Sequence, residues 1–383
     1  MKLQSIFAVL ALAVARSAFA QPEQWLTFHT ADPDAPRNYV RVELTTNAPA
    51  GVALPKFNAT PYFARWVTPM DPAGGRWLCL DRSHRSGPYD RMYIDSTGNG
   101  RLDDKKPVAA QDDSSMVLFP ATPVVFKGED GPINYPLVVR VYSSENLPYE
   151  LLATPGGWYE GAVKFDGVKK HFELHDGNVN GTFNDIAPDP YACDRVEVEG
   201  NTNGEVFLGR MLETDGKFFR IEAARDGAYV KVQKAENVEL GSVRVPTNIS
   251  EFAASGENGH FARKPANGEF TLPLGKYRIF HWTIDRKDNR GQPWTLAGHA
   301  FPDTATFEVA AGTTATLDIG EPVRALLSYT NHPDREVVFN LQFQGHQKES
   351  IEMLRGGERP AGPKLTLANT NGSVCFTNSF EFG

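Results

Sequence analysis

The chain has 383 residues, with 39 basic against 47 acidic side chains and a formal charge of −8. Hydrophobic residues make up 41% and charged residues 22%, which is typical of folded globular proteins and unlike disordered chains. The excess of acid disfavours nucleic acid as a partner, because proteins that bind nucleic acid cluster lysine and arginine against phosphates.

The first 20 residues have the pattern of a removable secretion signal peptide. Lys2 supplies a positive start, an apolar run follows, and Ala18-Phe19-Ala20 matches a small-x-small cleavage site. That run is too short to span a bilayer, and no later stretch approaches twenty apolar residues. We therefore expect a secreted or periplasmic protein with no transmembrane segment. An N-terminal membrane anchor is the alternative.

Glycine and proline punctuate the whole chain, with 34 glycines and 27 prolines, so few segments could hold a helix of ordinary length. The sequence therefore predicts a mainly β fold, with antiparallel β domains followed by a C-terminal β-sandwich. Candidate strands cover residues 39–44, 77–81, 92–95, 135–142, 162–165, 171–174, 195–198, 218–223, 228–232, 238–245, 276–290, 314–319, 337–343 and 364–367. The best helix candidate is 346–355.

Three regions of the mature chain differ in their sequence patterns. Residues 21–115 predict an N-terminal β domain with an acidic loop at Asp95. Residues 116–236 predict a second β domain with similar loops at Asp176 and Glu199. Residues 237–383 lack such loops and show the alternation of apolar and polar residues that is typical of a sandwich. This region could be one module, or two modules divided near residue 320.

The loop that begins at each of these three acids has the same spacing. Oxygen-bearing side chains stand two and four positions after the acid. The second of them is Asn and glycine follows it, so each loop contains the pair Asn-Gly. Calcium takes six to eight oxygen ligands, and positions 1, 3 and 5 of a tight loop point their side chains inward together. An apolar residue at position 8 would fix each loop to the core; these residues are Leu102, Phe183 and Val206.

The spacing predicts calcium ligands in the first two loops. In the first loop they are Asp95, Thr97, Asn99, the carbonyl of Arg101, and Asp103. In the second loop they are Asp176, Asn178, Asn180, the carbonyl of Thr182, and Asp185. The loop at Glu199 is a weaker candidate because Glu replaces Asp and little acid follows. The alternative is that each Asn-Gly pair closes a hairpin turn without metal.

These loops resemble the EF-hand loop, but the bidentate Glu expected at position 12 is absent. Lys106, Ala187 and Arg210 stand there instead. The pattern therefore favours calcium loops between strands rather than between helices, with weak structural affinity on the order of 10⁻⁴ to 10⁻³ M.

Other side chains offer weaker hypotheses. On a strand, His171, Glu173 and His175 share one face and could hold zinc, although a solvated strand face is the commoner case. A platform for sugar rings could form from Trp282, Trp294 and Tyr277, but the alternation around them favours a core position. Cys79, Cys193 and Cys375 allow at most one disulfide, and buried thiols are the expectation.

The segment Asn267-Gly268-Glu269-Phe270-Thr271-Leu272-Pro273-Leu274-Gly275-Lys276-Tyr277-Arg278 resembles the carboxypeptidase-regulatory-like, or transthyretin-like, β-sandwich module. The resemblance covers a dozen residues and implies a seven-stranded sandwich with an accessory role. The wider layout, with Asp-x-Asn-x-Asn-Gly loops before a sandwich, is similar to uncharacterised exported bacterial proteins, and no activity carries over from them.

Taken together, these features predict an exported, non-enzymatic binding or structural protein stabilised by calcium loops. Polysaccharide and envelope proteins are the open alternatives for its partner. The competing hypothesis is a secreted polysaccharide-acting hydrolase, or a carbohydrate-binding accessory protein, with paired acids beside exposed aromatic residues.

Overall fold

The structure is a computed structural model that describes residues 22–33, 37–113, 116–128, 131–145, 147–201, 206–331 and 337–381. The predicted signal peptide, residues 1–20, lies outside the described residues. The first half of the described chain forms short and medium strands interrupted by one 3-10 helical turn, Pro190–Ala192. The strands are β1 (Gln24–Trp25), β2 (Thr27–Thr30), β3 (Val40–Val42), β4 (Leu44–Thr45), β5 (Tyr62–Val67), β6 (Gly75–Asp81), β7 (Arg91–Ile94), β8 (Val108–Ala109), β9 (Asp112–Asp113), β10 (Met116–Lys127), β11 (Pro132–Ser144), β12 (Leu147–Pro155), β13 (Gly157–Phe165), β14 (Val168–His175), β15 (Arg195–Val198) and β16 (Val206–Phe207).

The second half of the described chain is also built from strands. They are β17 (Met211–Thr214), β18 (Lys217–Ala223), β19 (Tyr229–Lys234), β20 (Leu240–Arg244), β21 (Glu251–Gly256), β22 (Gly259–Arg263), β23 (Glu269–Pro273), β24 (Gly275–Lys287), β25 (Pro293–His299), β26 (Thr306–Val309), β27 (Thr314–Thr316), β28 (Arg324–Asn331), β29 (Val337–Gln344), β30 (Ser350–Arg355), β31 (Lys364–Ala368) and β32 (Val374–Ser379). The expected mainly β fold is confirmed.

Four antiparallel sheets make up the chain as far as β19. Their strand orders are β4-β5-β6-β7-β8, β3-β12-β11-β10-β9, β16-β15-β14-β13-β2 and β1-β19-β18-β17. Strands β1, β2 and β3 precede residue 115, yet they pair with strands that follow it. Most buried apolar side chains between Val42 and Val230 form one cluster, so the four sheets share a core. A smaller separate cluster is formed by Phe63, Cys79, Tyr93 and Leu102.

A second core lies in the chain from β20 onward. A three-stranded sheet, β23-β20-β27, and a larger sheet, β22-β21-β24-β25-β30-β29-β28, both contribute to it. Val243 and Leu272 come from the smaller sheet, and Phe252 and Trp282 come from the larger one. Two sheets that bury their apolar faces together form the sandwich arrangement that the alternation predicts. The hairpin β31-β32 forms a separate two-stranded sheet.

The helix prediction for residues 346–355 is wrong. Residues Ser350–Arg355 form β30, which pairs with β25 over six residues, and Ile351 enters the second core. Strand pairing and burial outweigh the weak helical spacing of two apolar residues. None of the described residues forms a helix long and apolar enough to cross a bilayer.

Candidate cation-binding loops

The first acidic loop follows β7 and closes around Asp95, whose side chain is nearly buried. Its Oδ1 accepts the backbone N–H groups of Gly98 and Asn99 at 2.8 and 3.1 Å, and its Oδ2 accepts that of Gly100 at 2.9 Å. Short polar side chains that accept backbone N–H groups in this way stabilise tight turns. Asp95 therefore holds the loop closed from inside.

The acidic side chains in the outer part of the first loop make separate contacts. Asn99 donates from Nδ2 to Asp104 Oδ2 at 2.7 Å, while Asp103 Oδ2 is ion-paired with the guanidinium of Arg101 at 2.9 Å. Thr97 is exposed to solvent. The loop thus brings Asp104, rather than the predicted Asp103, into contact with Asn99.

The second loop connects β14 to β15 and begins at Asp176, which is fully buried. Asp176 Oδ2 accepts the phenol of Tyr135 and the N–H of Gly181, both at 2.8 Å. Its Oδ1 accepts the N–H of Asn180 at 3.2 Å. Burial raises the pKa of Asp176 to about 7, although these hydrogen bonds act in the opposite direction.

The other predicted side chains of the second loop converge on Asp185. Its Oδ2 accepts the side-chain amides of Asn178 and Asn180 at 3.2 and 2.8 Å, together with the hydroxyl of Thr182. The sequence predicts a role for the carbonyl of Thr182, and the structure instead shows its hydroxyl and its N–H in the network. All five predicted residues of this loop therefore belong to one cluster.

One member of this cluster, Asp194, is absent from the predicted ligand set. It is fully buried, and its two oxygens accept the N–H of Gly177 at 3.1 Å and that of Asp185 at 2.7 Å. Burial raises the pKa of Asp194 well above its usual range, and the negative charges of Asp176 and Asp185 raise it further. The second loop thus holds two fully buried carboxyl groups, those of Asp176 and Asp194, beside the half-buried carboxyl group of Asp185.

Asp194 has a counterpart in the first part of the chain. Asp194 stands just before β15 as Asp90 stands just before β7. Asp90 also fixes a loop, since its carboxylate accepts the N–H and the hydroxyl of Ser83. This likeness does not place Asp194 beside the loop that begins at Asp176, so the sequence does not predict its part in the cluster.

The third loop is only partly described, because residues 202–205, including Asn203-Gly204, lie outside the described residues. Glu199 Oε2 accepts the backbone N–H of His171 at 3.0 Å. Its carboxylate is therefore engaged with the adjacent strand β14. The residues at position 8 of the three loops are all buried, as predicted; they are Leu102, Phe183 and Val206.

The core interpretation holds for two of the three aromatic residues and two of the three cysteines, whereas Trp294 is half-buried and Cys375 is exposed. Trp282 and Tyr277 are buried in the second core, and Trp282 donates to Glu349 Oε1 at 3.0 Å. They present no face on which a sugar could stack. Cys79 and Cys193 are buried free thiols and Cys375 is an exposed one, and burial raises the pKa of Cys193 to about 11.

No family model matches the chain, and comparison with curated proteins and with solved structures gives no match either. The geometry of the loops is therefore the basis for a functional conclusion.

Proposed function

We propose that the protein is an exported, non-enzymatic binding or structural protein whose N-terminal half is stabilised by calcium at the second loop and, more weakly, at the first. The observation that carries this proposal is the convergence of the fully buried Asp176 and Asp194 and the half-buried Asp185 in one loop. Export rests on the signal-peptide pattern of residues 1–20.

Electrostatics supports a cation at the second loop. The hydrogen-bond donors that face its three carboxyl groups are backbone N–H groups, a phenol, two side-chain amides and a hydroxyl, and all of these are uncharged. Burying several carboxylates together is costly unless a positive charge compensates them. A hard divalent ion suits this set, because the carboxylate, amide and hydroxyl oxygens are the ligand types that calcium prefers.

The position of the second loop explains why a bound ion would stabilise the fold. Its Val179 carbonyl accepts the indole N–H of Trp66 from β5 at 2.7 Å, and Asp176 accepts Tyr135 from β11. The N–H of Phe183 donates to the carbonyl of Arg225 at 3.0 Å, in the turn between β18 and β19. The loop therefore touches all four N-terminal sheets, and fixing it would fix their packing.

The first loop should bind calcium less tightly. Asp103 is already ion-paired with Arg101, and this contact competes with a metal for the carboxylate. The guanidinium of Arg76 also lies against the loop, since a Cβ on Gly98 would fall 1.5 Å from its Nη1. A nearby positive charge lowers the affinity of a site for a cation.

Calcium should raise the unfolding temperature of the chelator-treated mature protein. With affinities on the order of 10⁻⁴ to 10⁻³ M, about 10 mM calcium should stabilise the folded state by roughly 1 to 3 kcal/mol. Differential scanning calorimetry in chelator and in calcium measures this shift, and isothermal titration calorimetry gives the stoichiometry.

The variant Asp185→Asn separates a metal site from a structural hydrogen-bond cluster. It removes one negative charge from the buried loop, so we expect the metal-free protein to keep or gain stability while most of the calcium-induced shift disappears. Asp318→Asn, at an acid whose side chain is 80% exposed, is the matched control and should leave the shift unchanged. A wild-type protein with no calcium-induced heat and no shift would refute the proposal.

A further inference from the structure

A second cluster of metal-ligand residues lies on one face of the sheet β16-β15-β14-β13-β2. It shares no side chain with the acidic loops. In the strand register, Glu160 of β13 lies opposite Glu173 of β14, and Glu173 lies opposite Glu197 of β15. Three carboxylates thus stand side by side in one row. Like charges directly opposite each other destabilise a sheet, and the single guanidinium of Arg37, 3.0 Å from Glu173 and 3.6 Å from Glu197, offsets only part of this negative charge.

Imidazole groups border the row. His171 precedes Glu173 by two residues on β14 and therefore shares its face. One oxygen of Glu160, one oxygen of Glu173 and one ring nitrogen of His171 lie within 4.8 Å of one another. His29, from β2, brings its Nε2 to 3.3 Å from Glu160 Oε1. Nitrogen and oxygen ligand atoms from β13 and β14 therefore meet at one place, and His29 lies beside Glu160 at its edge.

The spacing of these atoms suits a small tetrahedral ion. His171 Nε2 lies 3.3 Å from Glu173 Oε1, the same separation as that between His29 and Glu160. Zinc binds nitrogen and oxygen ligands at about 2.0 to 2.1 Å, so neighbouring ligand atoms of a tetrahedral site stand roughly 3.3 Å apart. The His171–Glu173 pair already has the separation that coordination would impose.

Neighbouring side chains orient both carboxylates. The indole N–H of Trp158 donates to Glu160 Oε2 at 2.7 Å. Arg37 donates to Glu173 Oε2 at 3.0 Å, and His175 Nε2 lies 3.0 Å from the same oxygen. Each glutamate thus has its Oε2 held by a neighbour, while its Oε1 faces a histidine. Hydrogen bonds of this kind, which fix a ligand in place, are characteristic of metal sites.

We propose that Glu160, His171 and Glu173 bind a divalent transition-metal ion of the zinc class, with water completing its coordination. The imidazole nitrogen favours zinc over calcium, because calcium selects oxygen ligands. The sequence hypothesis paired His171 and Glu173 with His175, but that ring is buried against the far oxygen of Glu173. This site is independent of the calcium proposal, since it shares no ligand with the loops.

The test is a titration of the mature protein, free of any polyhistidine tag, with Zn²⁺ in a buffer that already contains millimolar calcium. We expect one bound zinc by isothermal titration calorimetry, and a tetrahedral visible spectrum when Co²⁺ is used instead. The variant His171→Ala should weaken zinc binding by at least about 10- to 100-fold. This side chain is half exposed, so the variant should fold normally.

Matched controls identify the site. Glu197→Gln changes the third carboxylate of the same row, whose side chain is 44% exposed and ion-paired with Arg37, and should leave the zinc affinity nearly unchanged. His84→Ala removes an exposed histidine elsewhere and should also be neutral. The variant Asp185→Asn should keep zinc binding while losing the calcium response. Absence of zinc binding by the wild type, or unchanged binding by His171→Ala, would overturn the inference.

Discussion

Replacing Trp66 by alanine should destabilise the metal-free protein by about 3 to 5 kcal/mol, the usual cost of removing a large buried aromatic side chain. Trp66 is 1% exposed and stacks on Tyr135 with ring centroids 5.4 Å apart. It also donates to the carbonyl of Val179 within the second loop. The substitution therefore leaves a cavity and an unpaired buried carbonyl at the same time.

The same substitution should reduce the calcium response. Trp66 supports the ring of Tyr135, whose hydroxyl donates to Asp176, so losing the indole loosens the residue that begins the loop. Urea denaturation followed by circular dichroism, in chelator and in calcium, measures both effects. If Trp66→Ala does not fold, Trp66→Phe keeps one ring but removes the hydrogen bond and part of the indole volume, and should lose at least about 1 to 3 kcal/mol of stability.

Trp25→Ala is the matched control for this prediction. Trp25 is 68% exposed and packs its ring on Tyr229 at 5.3 Å, so its removal should cost less than about 1.5 kcal/mol and leave the calcium response intact. Equal losses in the two alanine variants would contradict the idea that the Trp66 side chain couples the core to the loop.

Alternation predicted many of the strands, because burial on one face leaves a clear period of two in the sequence. The expected strand 195–198 is β15, and the expected strand 276–290 is β24 with slightly different ends. Strand β10 escaped this reasoning because Pro120 and Pro123 lie inside it. The ladder shifts register between Phe119 and Thr122, and such an irregularity tolerates proline where a regular central strand would not.

Part of the candidate calcium site could be predicted from the sequence for a similar reason. The contacts of Asp176, Asn178 and Asn180 are local, so the spacing of these residues in the chain predicts their convergence. Asp194 joins them only because the chain turns at Pro190–Ala192 and returns to the loop before β15 begins. That return depends on tertiary packing, and no periodicity in the sequence expresses it.

The zinc-class cluster depends still more on tertiary contacts that sequence spacing does not express. His171 and Glu173 are two residues apart and share a strand face by geometry alone. Glu160 reaches them through the pairing of β13 with β14. The partner and the register of each strand come from the folded sheet, so sequence spacing alone named His175 in place of Glu160.

Acidification should selectively destabilise the protein through His260 of β22. Its ring lies edge-on between Phe207 and Phe280, with both centroids at 5.2 Å, and its Nδ1 is 2.8 Å from Ser255 Oγ. Burial, and to a smaller extent the charge of His281, lowers the pKa of His260 from 6.5 to about 4.

The direction of the pH effect follows from this lowered pKa. Between pH 6.5 and 4 the unfolded chain takes up a proton at His260 and the folded protein does not, so the free energy of unfolding falls as the pH falls. The contribution amounts to at most about 3 kcal/mol across that range. Urea denaturation at a series of pH values should therefore show that His260→Gln gains stability relative to wild type as the pH drops.

The decisive quantity is the difference in the free energy of unfolding between wild type and His260→Gln. Acidic groups that both proteins share titrate in the same pH range, so their contributions cancel in this difference. His84→Gln, at an exposed ring, is the control and should give a difference that stays flat with pH. A flat difference for His260→Gln would mean that the ring is hydrated or protonated in the folded state. Its packing between Phe207 and Phe280 would then have to open in solution, since a charged imidazolium is costly to bury between two phenyl rings that leave it little access to water.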